Sequence, residues 1–206
     1  MNIITISREF GSGGRELGKR MADIFGCDYY DSEIISAVAA NSGLDERYVA
    51  DTLSNHGWQN YPVTFRRTMG SSNYLQSGKI KLLVEQKRVI EQIAAMGKDC
   101  IIVGRNADAI LREYCPFNIF VCADTAAKLQ RCKERAPEGE NLSEKDLLRK
   151  MKQIDKSRAQ TRELMTNSVW GERSNYHLMV NTTDWTIKEL APAVAEYTKC
   201  WFGRRK

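Results

Sequence analysis

Four points along this chain carry residues able to do chemistry, and most of them are arginines and glycines. The first is the stretch Arg8-Glu-Phe-Gly-Ser-Gly-Gly-Arg15. Its Gly11, Gly13 and Gly14 permit φ > 0 and close approach of the backbone to a ligand. It follows a β-branched run from Asn2 to Ile6 and opens a helical pattern, so the helix start would aim its free N–H groups at an anion. The alternative is a tight strand-to-helix turn. The second point is Gly104-Arg105-Asn106, directly after an apolar run. An arginine there can fork a phosphate with two hydrogen bonds, or it can face solvent. The third is the pair Arg131 and Arg135, four residues apart on one helix face. They precede the loop Ala-Pro-Glu-Gly-Glu-Asn at 136–141, which could close over a polyphosphate and exclude water, or form a solvated hairpin. The fourth is Arg158, which continues the apolar stripe of Leu147, Met151 and Ile154. A charge on an inward stripe needs a partner. That partner is either a phosphate or Asp155, three residues earlier.

Two weaker features accompany these. Asp31, just past the second strand pattern, could hold a metal-bound water or a substrate group, or cap the next helix. Trp58, Tyr61 and Phe65, with Arg66 and Arg67, could clamp a nucleobase by stacking, or pack a small subdomain. The two histidines, His56 and His177, are isolated, and the six cysteines form no Cys-x-x-Cys pair. No zinc site is expected, and the cysteines read as reduced and structural.

The elements that must position these residues alternate. Strand patterns fall at Asn2 to Ile6, 27–30, 99–104, 117–123 and 176–182. Helical patterns fall between them, with Asp45 as a cap and Ser143 with Asp146 forming a capping-box-like start. Lys79 to Gly97 reads as one long helix, and 105–114 as another. The last helix carries Ile187, Leu190, Ala191, Val194 and Trp201 on one face. Gly57 to Gly78 has no period and reads as irregular or inserted. Five short strands alternating with helices predict an α/β fold with a parallel sheet covered on both faces. In such sheets ligands bind beyond the carboxyl ends of the strands. The glycine loop, Arg105 and the helix after the fourth strand therefore converge on one crevice.

Composition sets the frame. A chain of 206 residues with 42% hydrophobic and 28% charged residues suits one soluble domain. No apolar run approaches the roughly 20 residues of a membrane helix, and the N-terminus enters a strand at once. These features predict a cytoplasmic protein without a membrane partner. The net charge is +5, and from Lys128 to Glu163 there are 11 Lys and Arg against 7 Asp and Glu. That local field suits a phosphorylated ligand, or it is a mixed, solvated helix face. Nucleic acid is not an expected partner, because the basic residues are interspersed with acids and no binding motif is present.

In order along the chain, "ISREFGSGGRELGKRMA", "IIVGRNADAIL", "FNIFVCADTAAKLQRCKER", "IDKSRA" and "YHLMVNTTDWTIKELA" resemble the cytidylate kinase-like branch of the P-loop nucleoside monophosphate kinases. The resemblance spans nearly the whole chain. It implies a three-layer α/β/α P-loop kinase fold over 1–206, with a helical monophosphate-binding insertion at about 32–97 and a short lid at about 135–143. It implies phosphoryl transfer from ATP with Mg²⁺ to a small phosphate-bearing acceptor such as CMP or dCMP. By motif match, Arg8, Gly11, Ser12, Gly13, Gly14, Arg15 and Arg135 would hold donor phosphates. Arg105 would contact the acceptor phosphate, and Asp31 and Arg66, read from their positions above, are the further candidates for holding the acceptor. Arg15, Arg131 and Arg158, with Asp155 orienting the last, would stabilise transferring charge. No side-chain metal site is implied. The chain departs from the motif Gly-x-x-x-x-Gly-Lys-[Ser/Thr]. Arg8 stands at its first glycine, Gly14 at its lysine and Arg15 at its hydroxyl, while Val103 and Asn106 replace the aspartates of Asp-Gly-Arg-Asp. These departures leave a second function open, a nucleotide-binding regulatory protein with little or no turnover.

Overall fold

The computed structural model describes residues 1–54, 71–135 and 143–204. They fall into two compact units, Met1–Tyr30 with Gly97–Lys206, and Asp31–Met96. In chain order the elements are β1 (Ile3–Arg8), α1 (Gly14–Phe25), β2 (Asp28–Tyr30), α2 (Glu33–Ser42), α3 (Glu46–Ser54), α4 (Ser71–Ala95), β3 (Cys100–Val103), α5 (Ala107–Ile110), β4 (Phe117–Cys122), α6 (Thr125–Glu134), α7 (Glu144–Met165), β5 (Leu178–Asn181) and α8 (Ile187–Gly203).

The first unit holds a five-stranded parallel sheet of order β2-β3-β1-β4-β5 with helices on both sides, as expected. β1 lies at its centre, pairing Ile4 with Ile101 of β3 and with Phe117 of β4. Strands covered on both faces must be apolar on both, and all four residues of β3 are buried. Period-two alternation sends Ile4, Ile6, Ile101, Val103, Phe117, Ile119 and Val121 to one face. There they form the main core with Leu17 and Met21 of α1 and Ile187, Ala191 and Val194 of α8. Leu190 and Trp201 of α8 pack half-buried against the same core. On the other face Thr5 Oγ1 donates to Asn118 Oδ1 at 2.7 Å, and Phe120 meets Trp170 edge-on beside Tyr176.

In the second unit α2 packs on α3 and α4. Ser36 Oγ donates to Glu46 Oε1, and Asn41 Nδ2 to Glu85 Oε1, both at 2.8 Å. The expected caps are present, since Asp45 Oδ1 accepts from the Tyr48 amide and Ser143 Oγ from the Asp146 amide.

Two local expectations are corrected. Residues 71–78, expected to be irregular, are the first two turns of α4. Gly78 does not stop the helix, because an interior glycine costs only about 1 kcal/mol and a long helix offsets it. Residues 105–114 are not one helix. Arg105 and Asn106 have φ of 57° and 56°, which delays the helix until Ala107. Only four α-helical residues follow, with a 3₁₀ turn at Arg112–Tyr114. Cys115 then turns left-handed (φ 48°) as the cap of that turn, ahead of Pro116.

Trp58, Tyr61, Phe65, Arg66 and Arg67 lie outside the described residues, as does most of the expected lid. All six cysteines are free. Burial pushes Cys27 up to about 11 and Cys100 up to about 12, so both stay thiols. No helix among the described residues is long and apolar enough to cross a membrane.

Candidate active site

The glycine loop is held by its neighbours at nearly every residue. The Glu9 amide donates to the Val121 carbonyl of β4 at 2.9 Å. The Glu9 carboxylate accepts from Lys128 Nζ at 2.8 Å and from the Ala123 amide at 3.3 Å. The Phe10 amide donates to Asp155 Oδ1 at 2.8 Å, and the Phe10 ring packs against Leu129, Leu147 and Met151 in a small second core between α6 and α7. Ser12 is fully buried. Its hydroxyl donates to the Glu9 carbonyl at 2.9 Å, and its own carbonyl accepts from Thr182 Oγ1 at 2.7 Å. The Ser12 side chain thus shapes the loop from within. Gly13 caps α1 with φ 85°, and Leu17 makes the first helical bond back to it. The amides of Gly14, Arg15 and Glu16 then lack intrahelical partners, as at any helix start, and gather positive potential at the loop's rim.

A Cβ at Gly13 would lie 2.5 Å from Cδ1 of Ile187, and the backbone there is left-handed. Gly13→Ala is therefore expected to cost about 1–3 kcal/mol in urea unfolding. Unchanged stability would mean that the start of α8 can retreat.

Helix α7 brings the other charges to this loop. Arg158 Nη1 donates both to Asp155 Oδ1 and to the Arg8 carbonyl, each at 2.9 Å. One carboxylate and one guanidinium thereby fix the Arg8 carbonyl and the Phe10 amide on either side of Glu9. Burial lowers the Arg158 pKa, and repulsion from Arg105 and Arg15 adds to it, while Asp155 opposes both. Burial raises the Asp155 carboxyl above its usual range, against the pull of Arg158 and the Phe10 amide. Arg15 and Arg105 thus act on Arg158, and Glu9 and Lys128 act on Asp155, so four cations stand against two anions in this group. Such an excess of positive charge suits a polyanionic ligand.

Arg105 sits in a strained turn. Gly104, Arg105 and Asn106 have φ of 77°, 57° and 56° in succession. Non-glycine residues held left-handed cost about 1–3 kcal/mol each and concentrate at functional sites. Just beyond, Asp108 and Arg162 form an ion pair at 2.7 Å, exposed by only 2% and 4%. Arg162 Nε also donates to Ser168 Oγ at 2.7 Å. Burial raises the Asp108 pKa despite Arg162. Arg158 and Arg162 are one turn apart on α7, so this pair ties the arginine turn after β3 to the helix that clamps the loop.

Arg131, Arg135 and Asp31 are held by other partners. Arg131 donates to Thr182 Oγ1 at 3.0 Å, to the Thr182 carbonyl and to the Trp185 carbonyl at 3.1 Å. It is an anchor for the loop between β5 and α8. Arg135 pairs with Glu16 on the first turn of α1. Burial acts to raise the Glu16 pKa, but Arg20 and Arg135 outweigh it and lower the value. Arg135 lies just past the end of α6 as its C-cap, so it does not share a helix face with Arg131 as expected, and the two serve different partners. Asp31 is buried at the head of the second unit, where its amide donates to Glu33 Oε2 at 2.9 Å. Ser32, not Asp31, occupies the cap position of α2, and no side chain caps that helix. Arg66 lies outside the described residues.

Glu9, Lys128, Thr182, Asp108 and Arg162 were not singled out from the sequence. Their partners are far away along the chain, and the one legible hint was a glutamate inside a glycine loop. Among the described residues no three His, Cys, Asp or Glu side chains gather as a metal site.

The chain is similar to several solved structures. An uncharacterized protein from Eubacterium ventriosum ATCC 27560 matches 97% of this chain and 99% of its own, at 23% identity and a TM-score of 0.71. Shikimate kinase from Acinetobacter baumannii, in complex with shikimate, matches over 96% and 92%, at 12% identity and 0.54. A sugar kinase from Janibacter sp. HTCC2649 matches over 97% and 95%, at 11% identity and 0.53. At these identities the likeness shows a shared fold, that of the P-loop kinases. No curated protein matches the chain. A model of the cytidylate kinase-like family matches residues 3–184, and the chain belongs to that family.

Proposed function

We propose that the protein transfers a phosphoryl group from ATP to a small acceptor, a nucleoside monophosphate such as CMP or dCMP. The observation that carries this reading is the convergence of Arg15, Arg105 and Arg158 beside a rigid glycine loop at the carboxyl ends of β1 and β3. Phosphoryl transfer asks mainly for positioning and charge stabilisation. Loop amides and α1 would hold the donor, Arg105 the acceptor phosphate, and Arg158 the charge passing between them. Arg135 is assigned to the donor phosphates, and Asp31 and Arg66 to the acceptor, the last two from their places along the sequence.

Mg²⁺ fits the side chains poorly. Arg15 offers no hydroxyl, and no carboxylate cluster gathers among the described residues. The cation would arrive on the nucleotide, held by phosphate oxygens and water as Mg²⁺ often is, and no step is assigned to it.

Purified protein with ATP and Mg²⁺ should release ADP when given one of a panel of nucleoside monophosphates, shikimate and simple sugars. The last two enter because structural relatives bear those names. Release with CMP or dCMP supports the reading, while release only with shikimate or a sugar moves the acceptor to an alcohol without phosphate. Absence of ADP with every acceptor, alongside calorimetric binding of ATP, favours instead a nucleotide-binding regulatory protein. Gly14 at the lysine position is what motivates that second reading.

A further inference from the structure

We infer that Arg8 and Gly14 are an exchanged pair, in which the cation that a phosphate loop carries at its helix start is supplied here from the end of β1. The inference rests on the phosphotransfer reading above and assigns the missing lysine's part to one residue. In the ordinary motif a glycine ends the strand and a lysine on the helix reaches the outer phosphates. Here the arginine ends the strand and the glycine opens the helix. The count of cations and the count of glycines at the two positions are both unchanged.

The geometry shows that the two replacements depend on each other. A Cβ placed on Gly14 would lie 2.6 Å from Arg8 Cβ, 3.1 Å from its Cγ and 3.3 Å from Val121 Cβ. The stem of Arg8 therefore crosses the space where a side chain at position 14 would begin. A lysine at 14 and an arginine at 8 exclude one another.

The far end of Arg8 makes the same point at a second glycine. A Cβ on Gly104 would fall on Arg8 Nη1 and lie 2.8 Å from Cζ. The guanidinium thus rests against the Gly104 backbone, which has φ 77° and whose amide donates a hydrogen bond to the Ile6 carbonyl of β1 at 2.9 Å. One arginine spans two glycines, one on the donor side of the site and one beside Arg105 on the acceptor side. A phosphoryl group passing between loop and turn would meet this guanidinium, and its planar fork can hold two phosphate oxygens at once. The Arg8 carbonyl is meanwhile fixed by Arg158, so the residue's backbone is braced while its side chain bridges.

Two readouts test the exchange in the whole chain. The probe is inorganic tripolyphosphate, measured by calorimetry, and the second readout is the melting temperature without ligand. Wild type should bind tripolyphosphate. Arg8→Gly should weaken binding by roughly 10–100-fold, the worth of a charge-assisted contact. Arg8→Gln, which keeps the stem and drops the charge, should do the same and covers a failure of Arg8→Gly to fold. Gly14→Lys alone should lower the melting temperature and bind poorly. The double variant Arg8→Gly with Gly14→Lys should recover both stability and binding. The assignment is overturned if Arg8→Gln binds as well as wild type, which would make Arg8 a brace only, or if the double variant is no better than the singles. Wild type that binds no tripolyphosphate would sink the phosphotransfer reading and this assignment's catalytic half together. The ligand-free melting data would still decide whether the two side chains exclude each other.

Discussion

Arg162→Met should destabilise the protein by about 3–5 kcal/mol, because it leaves the Asp108 carboxylate buried without its cation. Both side chains of the pair are almost wholly enclosed. Arg162 gives the largest opposition to the burial cost on Asp108, with the amides of Asp108 and Ala109 adding to it. Its removal raises the Asp108 pKa further above the unfolded value near 3.9. Between those two values the folded protein holds a proton that the unfolded chain does not. Stability therefore falls as pH rises through that window. The deficit should be larger near pH 8 than near pH 5, as read from urea unfolding at each pH. A second variant separates charge from shape. Asp108→Leu with Arg162→Met should recover most of the stability, since replacing both members of a buried pair is often neutral or better. A deficit in Arg162→Met that is the same at both pH values would show that lost packing, not the stranded charge, is responsible.

Arg158→Ala should reduce turnover by roughly 10²–10³-fold, the usual effect of removing one preorganised group facing developing charge. The residue does two things, since it bonds the Arg8 carbonyl and joins Arg15 and Arg105 in the cationic group. Arg158→Lys keeps a charge without the planar fork and should fall between. Asp155→Asn should act in the same direction, because it weakens the acceptor shared by Arg158 and the Phe10 amide. The measurement is ADP release at saturating ATP, with the melting temperature of each variant beside it. Turnover in Arg158→Ala within a few-fold of wild type would remove Arg158 from the charge-stabilising role.

The sheet was legible because apolar β-branched runs announce buried strands, and their alternation with helical patterns leaves few topologies. The caps at Asp45 and Ser143 were legible because capping is a local effect. The Asp155–Arg158 pair could be seen as a break in an apolar stripe. What stayed hidden depends on long-range geometry. Arg131 and Arg135 have helical spacing, yet α6 ends at Glu134, and one turns to the loop after β5 and the other to α1. Asp108 and Arg162 are 54 residues apart, and nothing local marks either as buried. The left-handed run at 104–106 was hidden for a different reason. Arginine and asparagine do not advertise positive φ as glycine does, so a helical pattern was extended across a turn.

The seat of Phe10 has a consequence for the loop as a unit. In many nucleotide-binding proteins such a loop is a module, a length of backbone that could be traded between relatives. Here its one aromatic side chain is part of the packing of α6 on α7. A glycine-lysine loop grafted in from elsewhere would strip a half-buried ring from the packing of those two helices, a loss below the roughly 3–5 kcal/mol of deleting a fully buried aromatic. The departures at Arg8 and Gly14 are thus locked in by a neighbour that touches neither of them. A lineage carrying this loop would find the ordinary one hard to regain without first repacking two helices.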